Sequence, residues 1–140
     1  MSATARDLLA EKNSSVVYTA APGDTVAEAC RAMEARRVGC LVVVEGSRVE
    51  GLLGGREVVE RVVAAGRDPE ATRVAEVMAR GVPTVGPEEP VERIEARMRE
   101  RHLRLLPVAG DRGTLLGVVT RGDVAAWRAA AARDAAPPSP

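Results

Sequence analysis

The chain has 140 residues, 46% of them apolar, with twenty basic side chains set against twenty acidic ones. That balance removes the net field that would draw it to nucleic acid or to an anionic membrane. The longest apolar run, Cys40 to Val44, falls far short of the ~20 residues that cross a bilayer, and charges stand where a secretory leader would be greasy, so a soluble cytoplasmic protein is expected.

In chain order, a leader helix is expected around Asp7 to Ala10, followed by an extended segment, VVYTA, that ends at Pro22. A helix comes next, because Val26, Ala29, Cys30 and Met33 fall at i, i+3, i+4 and i+7. Two β-rich runs, CLVVV and VEGLL, meet at a turn holding Gly46 and Ser47, and a second helix carries Val58, Val59, Val62 and Val63. GRDP, at residues 66–69, reads as a hinge. A second leader spans Thr72 to Met78, and the pattern then starts again: VPTV, Pro87, a helix striped by Val91, Ile94 and Met98, the runs LLPVA and TLLGVV, and an Ala-rich helix from Val124. The tail DAAPPSP is small, polar and Pro-rich, with nothing to bury, and is expected to be disordered.

Sliding the chain by 65 residues lays Thr19 on Thr84, Pro22 on Pro87, Met33 on Met98 and Val43 on Val108. One extra residue in the following turn makes the offset 66, which lays Gly51 on Gly117, Gly54 on Thr120 and Glu57 on Asp123. The chain is therefore two copies of a β-α-β-β-α unit. A single copy would bury only ~60% of its unfolded surface and be marginal alone, so the copies are expected to fold together. The expected boundaries are 6–65 for the first copy, 66–71 for the hinge, 72–132 for the second copy and 133–140 for the tail.

The stretch GVVTRGDV, residues 117–124, carries the sharpest chemical signal. Thr120 followed three residues later by Asp123 matches a capping box, worth ~1 kcal/mol of helix stability and needing no ligand. The same geometry suits a ligand: a helix N-terminus offers amides to a phosphate, a Thr hydroxyl can join them, and a short carboxylate can accept from two ribose hydroxyls. Both readings stay open on the residues alone. The first copy reads GLLGGREV, with Gly54 in place of the Thr and Glu57 in place of the Asp. Cys30 and Cys40 lack a CxxC partner and read as small buried hydrophobes, and His102 has no Cys or carboxylate cluster beside it to make a metal site. No nucleophile-base-acid set, P-loop or Rossmann glycine pattern is present, so an enzyme is not expected.

The order of elements, the helix start with Thr25, Val26, Glu28, Ala29 and Met33, the strand Leu106-Pro107-Val108 and the Gly117 to Asp123 ending resemble the cystathionine-β-synthase (CBS) domain family. Two tandem copies over roughly residues 6–130 resemble a Bateman module. The resemblance implies an α+β fold: two βαββα repeats, each a small three-stranded sheet with helices on one face, packed with pseudo-twofold symmetry around two clefts. It also implies a ligand such as AMP, ADP, ATP or S-adenosylmethionine, with Thr120 at a phosphate and Asp123 at a ribose. By the family's packing, Tyr18, Thr19, Ala20, Val38, Gly39 and Cys40 would complete that cleft, with Arg104 and Arg121 as phosphate-contacting candidates. Gly54, Arg56 and Glu57, with Thr84 and Val85, would make a weaker second cleft. Three functions follow for testing: a ligand sensor acting on an unknown protein partner in trans, a structural interaction module with vestigial clefts, and, least favoured, an enzyme. A homodimer is expected from Trp127, which aligns with Arg61 at the 66-residue offset and so reads as an interface aromatic.

Overall fold

The computed structural model describes residues 3–11 and 18–135, without the side chain of Ala135. Val16 and Val17 of the first extended segment, and 136–140 of the tail, lie outside the described residues.

Two packing units divide the chain, and they cut across the linear order of the copies. One unit joins the first fifteen residues to Thr84–Gly110 and Leu116–Pro140; the other comprises Val16–Pro83 with Asp111–Leu115.

The second of these units holds the first copy. Strand β1 (Thr19–Ala20) pairs parallel to β2 (Cys40–Glu45), which pairs antiparallel to β3 (Arg48–Gly54) with an irregularity between Val43 and Val44. Between β1 and β2 lies helix α2 (Val26–Arg36), opened by a complete capping box: the Glu28 amide donates to Thr25 Oγ1 at 3.1 Å, and the Thr25 amide donates to Glu28 Oε1 at 3.3 Å. The Thr25 hydroxyl and amide together hold the Glu28 carboxyl below its ordinary pKa. Val26, Ala29 and Met33 bury the helix stripe against Leu41, Val43 and Leu53, while Cys30 is half-buried at the edge.

The second helix of this copy departs from expectation. Helix α3 (Gly55–Val58) passes into a π-helical turn over Val59–Val63, closed by the Ala64 amide donating to the Val59 carbonyl at 2.8 Å. The wider turn rotates the expected apolar stripe out of register: Val62 is buried, but Val59 and Val63 are 60% and 69% exposed. Residues expected to form a hinge are bound into this unit, since the Ala27 amide donates to the Pro69 carbonyl and the Arg67 amide to the Val62 carbonyl. Helix α4 (Val74–Val77) adds Val74, Val77 and Met78 to the same core.

The other unit holds the second copy and the first leader helix. Helix α1 (Ala5–Glu11) places Ala5 and Leu8 in one core with Val85, Ile94, Met98, Leu106 and Val119. Helix α5 (Val91–Arg101) precedes β4 (Leu105–Ala109), which pairs with β5 (Leu115–Thr120), and helix α6 runs from Arg121 to Ala135. Arg133, Asp134 and Ala135 therefore belong to a helix and not to a disordered tail, because the Ala-rich run carries helical propensity past the last buried position.

In this unit the first strand of the copy shrinks to one parallel bridge, Val85 with Val108. The Val85 amide donates to the Pro107 carbonyl at 3.0 Å, and the Ala109 amide donates to the Val85 carbonyl at 2.9 Å. Extending the ladder by one register toward the N-terminus would need N–H groups from residues 83 and 107. Both are prolines, which have none.

The extra π-turn residue also corrects the pairing of Arg61 with Trp127. Val62 sits in the core of its unit, and Trp127 packs against the core of its own, so these two occupy corresponding places. Trp127 is half-buried against the core of its own unit. Arg61 instead donates to the carbonyls of Val77 and Met78, both at 3.0 Å, closing the end of α4.

Candidate functional site

The junction between β5 and α6 builds the Thr120–Asp123 site. The strand ends at Thr120 and the helix starts at Arg121, so the first amides of a fifteen-residue helix lie beside the Thr side chain. The Asp123 amide donates to Thr120 Oγ1 at 3.0 Å, and the Thr120 amide donates to Asp123 Oδ2 at 2.8 Å. Both side chains are half-buried. The hydroxyl of Thr120 accepts in this arrangement, and its own O–H remains a donor.

Arg121 turns away from the helix start. Its Nε donates to the Leu103 carbonyl at 2.6 Å and its Nη2 to the Met98 carbonyl at 3.4 Å, so the guanidinium covers the C-terminal carbonyls of α5. The Arg121 amide donates to the Arg104 carbonyl at 2.9 Å, which brings the backbone of Arg104 beside the motif while its side chain is exposed. In the same unit, Val85 is buried with its amide and carbonyl both committed to β4, and the Thr84 carbonyl accepts from Arg97 Nη1 at 3.2 Å.

The corresponding junction in the first copy retains half of this geometry. The Gly54 amide donates to Glu57 Oε1 at 2.8 Å, but Gly54 has no hydroxyl to return the bond. Gly39 and Cys40 stand against this junction, within their own unit: a Cβ added to Gly54 would lie 3.1 Å from the Gly39 carbonyl oxygen and 3.7 Å from Cys40 Cβ. The Gly55 amide donates to the Gly39 carbonyl at 3.3 Å, as that of Arg121 does to Arg104. Burial, with a smaller contribution from the Glu57 carboxylate, pushes the Cys40 thiol up to about 11. Arg56 is exposed and pairs with Glu60 at 3.0 Å.

Tyr18, Thr19, Ala20 and Val38 fall at the start of β1 and before β2. The Val42 amide donates to the Tyr18 carbonyl at 3.2 Å, and Ala20 is buried in the core. Sequence reasoning missed Arg36, whose guanidinium carbon lies 5.0 Å from the centroid of the Tyr18 ring. A base stacking on that face of Tyr18 would have to displace Arg36. Nothing in the spacing of residues 18 and 36 signals this contact; it arises only when α2 returns its last turn to β1. The expected ligand set is thus distributed over both units: Thr120, Arg121, Asp123 and Arg104 in one, Tyr18 to Ala20 and Val38 to Cys40 in the other.

Among the described residues, no group of His, Cys, Asp or Glu is arranged to hold a metal ion, and no helix is long and apolar enough to cross a membrane.

Comparison with known proteins places this fold. The CBS domain profile matches twice, at residues 4–64 and 74–130, and the chain belongs to the CBS domain family as a tandem pair. The CBS domain-containing protein YhcV of Bacillus subtilis is 35% identical over 109 residues, which is 78% of this chain and 76% of YhcV. A solved structure of a protein with CBS domains from Burkholderia ambifaria matches with a TM-score of 0.82 at 32% identity, covering 91% of this chain and 95% of that one. The hexameric CBS-CP12 protein from bloom-forming cyanobacteria matches with a TM-score of 0.72 at 28% identity, covering 89% of this chain and 67% of the other. Two other relatives are longer, and the chain spans 56% and 51% of them.

Proposed function

We propose that the chain is a regulatory module that binds an adenosine nucleotide, or a related adenosyl compound such as S-adenosylmethionine, at the Thr120–Asp123 junction and signals to a protein partner in trans. The observation that carries this reading is the asymmetry between the two junctions. The second copy sets a hydroxyl and a short carboxylate, tied to one another, at the start of a long helix, whereas the first retains only the carboxylate half. Membership of the CBS family supports the ligand class, and the role is one of binding and not of catalysis. Tyr18, Thr19, Ala20, Val38, Gly39 and Cys40 complete the ligand's surroundings in this reading, with Arg104 free to reach a phosphate. Gly54, Arg56, Glu57, Thr84 and Val85 form the weaker counterpart. A thermal-shift screen of AMP, ADP, ATP and S-adenosylmethionine tests it: ~100 times Kd of a true ligand adds ~2.7 kcal/mol of stability.

One observation favours a structural interaction module instead. The two Thr120–Asp123 bonds form a complete capping box, as the Thr25–Glu28 bonds do at a helix start to which no ligand role is assigned. A screen without any stabilising compound would select that reading.

The proposed assembly is a homodimer, now based on Val59 and Val63. They stand four residues apart on the π-turn, and large apolar side chains this exposed suit an interface. The hexameric state of the cyanobacterial relative supports self-association in the family.

A further inference from the structure

Helices α5 and α6 enclose a groove of about 650 Å³. Its floor is apolar, formed by the buried Met98 and Val124, and the small, exposed side chain of Ala125 keeps the space above the floor open. Arg99, Arg121 and Arg128 line the groove against one carboxylate, Glu95, so its rim is cationic. Glu95 is itself taken up by Arg128, whose Nε donates to Glu95 Oε2 at 2.7 Å.

The first copy carries the opposite relief at the corresponding place. At the 65-residue offset, Arg99 and His102 correspond to Glu34 and Arg37, whose charges cancel; at the 66-residue offset, Arg121 and Ala125 correspond to Gly55 and Val59. Once the extra π-turn residue is counted, Arg128 corresponds to Val63. The flanking Arg56 and Glu60 pair with one another at 3.0 Å. Where the second copy has a hollow rimmed by cations, the first therefore has a projection without net charge, tipped by the exposed Val59 and Val63.

We infer that these two faces fit one another between protomers: in the homodimer proposed above, on which this inference rests, the Val59–Val63 projection of one chain enters the α5–α6 groove of its partner. Pairing like with like is worse on two counts. Groove against groove brings two cationic rims together, and it leaves both apolar floors without side chains to fill them. Projection in groove covers the two exposed valines with Met98 and Val124 and sets an uncharged face against the cationic one. A twofold axis makes the contact twice, since it returns each i-to-j contact as j-to-i.

A photoreactive benzoylphenylalanine tests the pairing in the full chain, replacing in turn two exposed residues beside the contact, Arg99 on the groove rim and Glu60 on the π-turn. Illumination is expected to give covalent dimers whose joined peptides run from one copy to the other: residue 99 to the partner's segment 55–64, or residue 60 to the partner's segments 95–102 and 121–128. Ala125→Arg, which fills the groove from an exposed position, should weaken dimerisation about tenfold or more by light scattering. Residue 99 joined to the partner's α5 or α6, or residue 60 joined to the partner's π-turn, would show like-to-like pairing and overturn the inference. So would a parent chain that scatters as a dimer but gives no covalent dimer from either position, or unchanged dimerisation of Ala125→Arg. A monomeric parent chain would reject the dimer itself, and the pairing with it.

Discussion

Gly51 and Ala79 meet so closely that a Cβ on Gly51 would stand 2.5 Å from the Ala79 carbonyl oxygen. The approach is set by a bridge next to it, in which Leu52 and Ala79 exchange backbone hydrogen bonds at 3.1 and 2.8 Å. Gly117, its counterpart in the second copy, meets a side chain instead: the added Cβ would lie 2.7 Å from Leu9 Cδ2. Each glycine therefore makes room for a leader segment, 72–79 in one unit and α1 in the other. Gly51→Ala is expected to cost about 1–3 kcal/mol in denaturant unfolding, because the backbone at Ala79 must shift. Gly117→Ala should cost less, since Leu9 can change rotamer. Equal costs, or the reverse order, would contradict this account of the motif's first glycine.

Most of the fold was legible in the sequence because aliphatic periodicity and the internal offset carry it: Val26, Ala29 and Met33 lie in the core as their spacing requires, and so do Val91, Ile94 and Met98. Three features escaped because they depend on backbone hydrogen-bond register or on tertiary packing. The π-turn moves Val59 and Val63 outward without any change of composition. Pro83 and Pro107 shorten a ladder only because both fall where its next N–H groups would be needed. The packing of α1 with the second copy joins residues about eighty positions apart, such as Ala5 and Glu89. At the site, the Thr120–Asp123 pair could be read directly, since a capping box is local. Arg121 could not, because its partners at Met98 and Leu103 belong to another helix end.

The elevated Cys40 thiol makes stability depend on alkaline pH in a defined direction. Its folded pKa of about 11 lies above the ~8.5 of an unfolded cysteine, so the neutral thiol's contribution is fully present below the lower value and is lost as pH rises toward the higher one. The stability difference between the parent chain and Cys40→Ser should be constant below pH ~8 and shift against the parent above ~9. A difference that stays constant to pH ~11 would contradict the burial of this thiol.

If Val59 and Val63 form the dimer surface, Val63→Glu should yield a monomer by light scattering at micromolar concentration while the fold is retained. The exposed side chain contributes little to its own unit, so the melting temperature measured on that monomer should change little beyond the loss from dissociation. A parent chain that is already monomeric would reject the dimer.

Loss of the capping box separates the two roles of the junction. Thr120→Ala and Asp123→Ala should each cost about 1 kcal/mol in the ligand-free chain, by removing one of the two reciprocal bonds. Thermal shift with and without a stabilising adenosine compound should show that Asp123→Ala also loses the ligand's increment. A variant that keeps the full increment would leave the cap as the only role of Asp123.

Calorimetric titration of ligand-free chain with the best adenosine compound tests the central claim most directly. One tight event per chain is expected, abolished or weakened about ten- to hundredfold by Asp123→Ala, the effect of removing a charge-assisted hydrogen bond. The first-copy junction should contribute at most a weak second event, because Gly54 brings no hydroxyl. Two equal sites in the parent chain, or one site unaffected by Asp123→Ala, would contradict the assignment of ligand binding to Thr120 and Asp123.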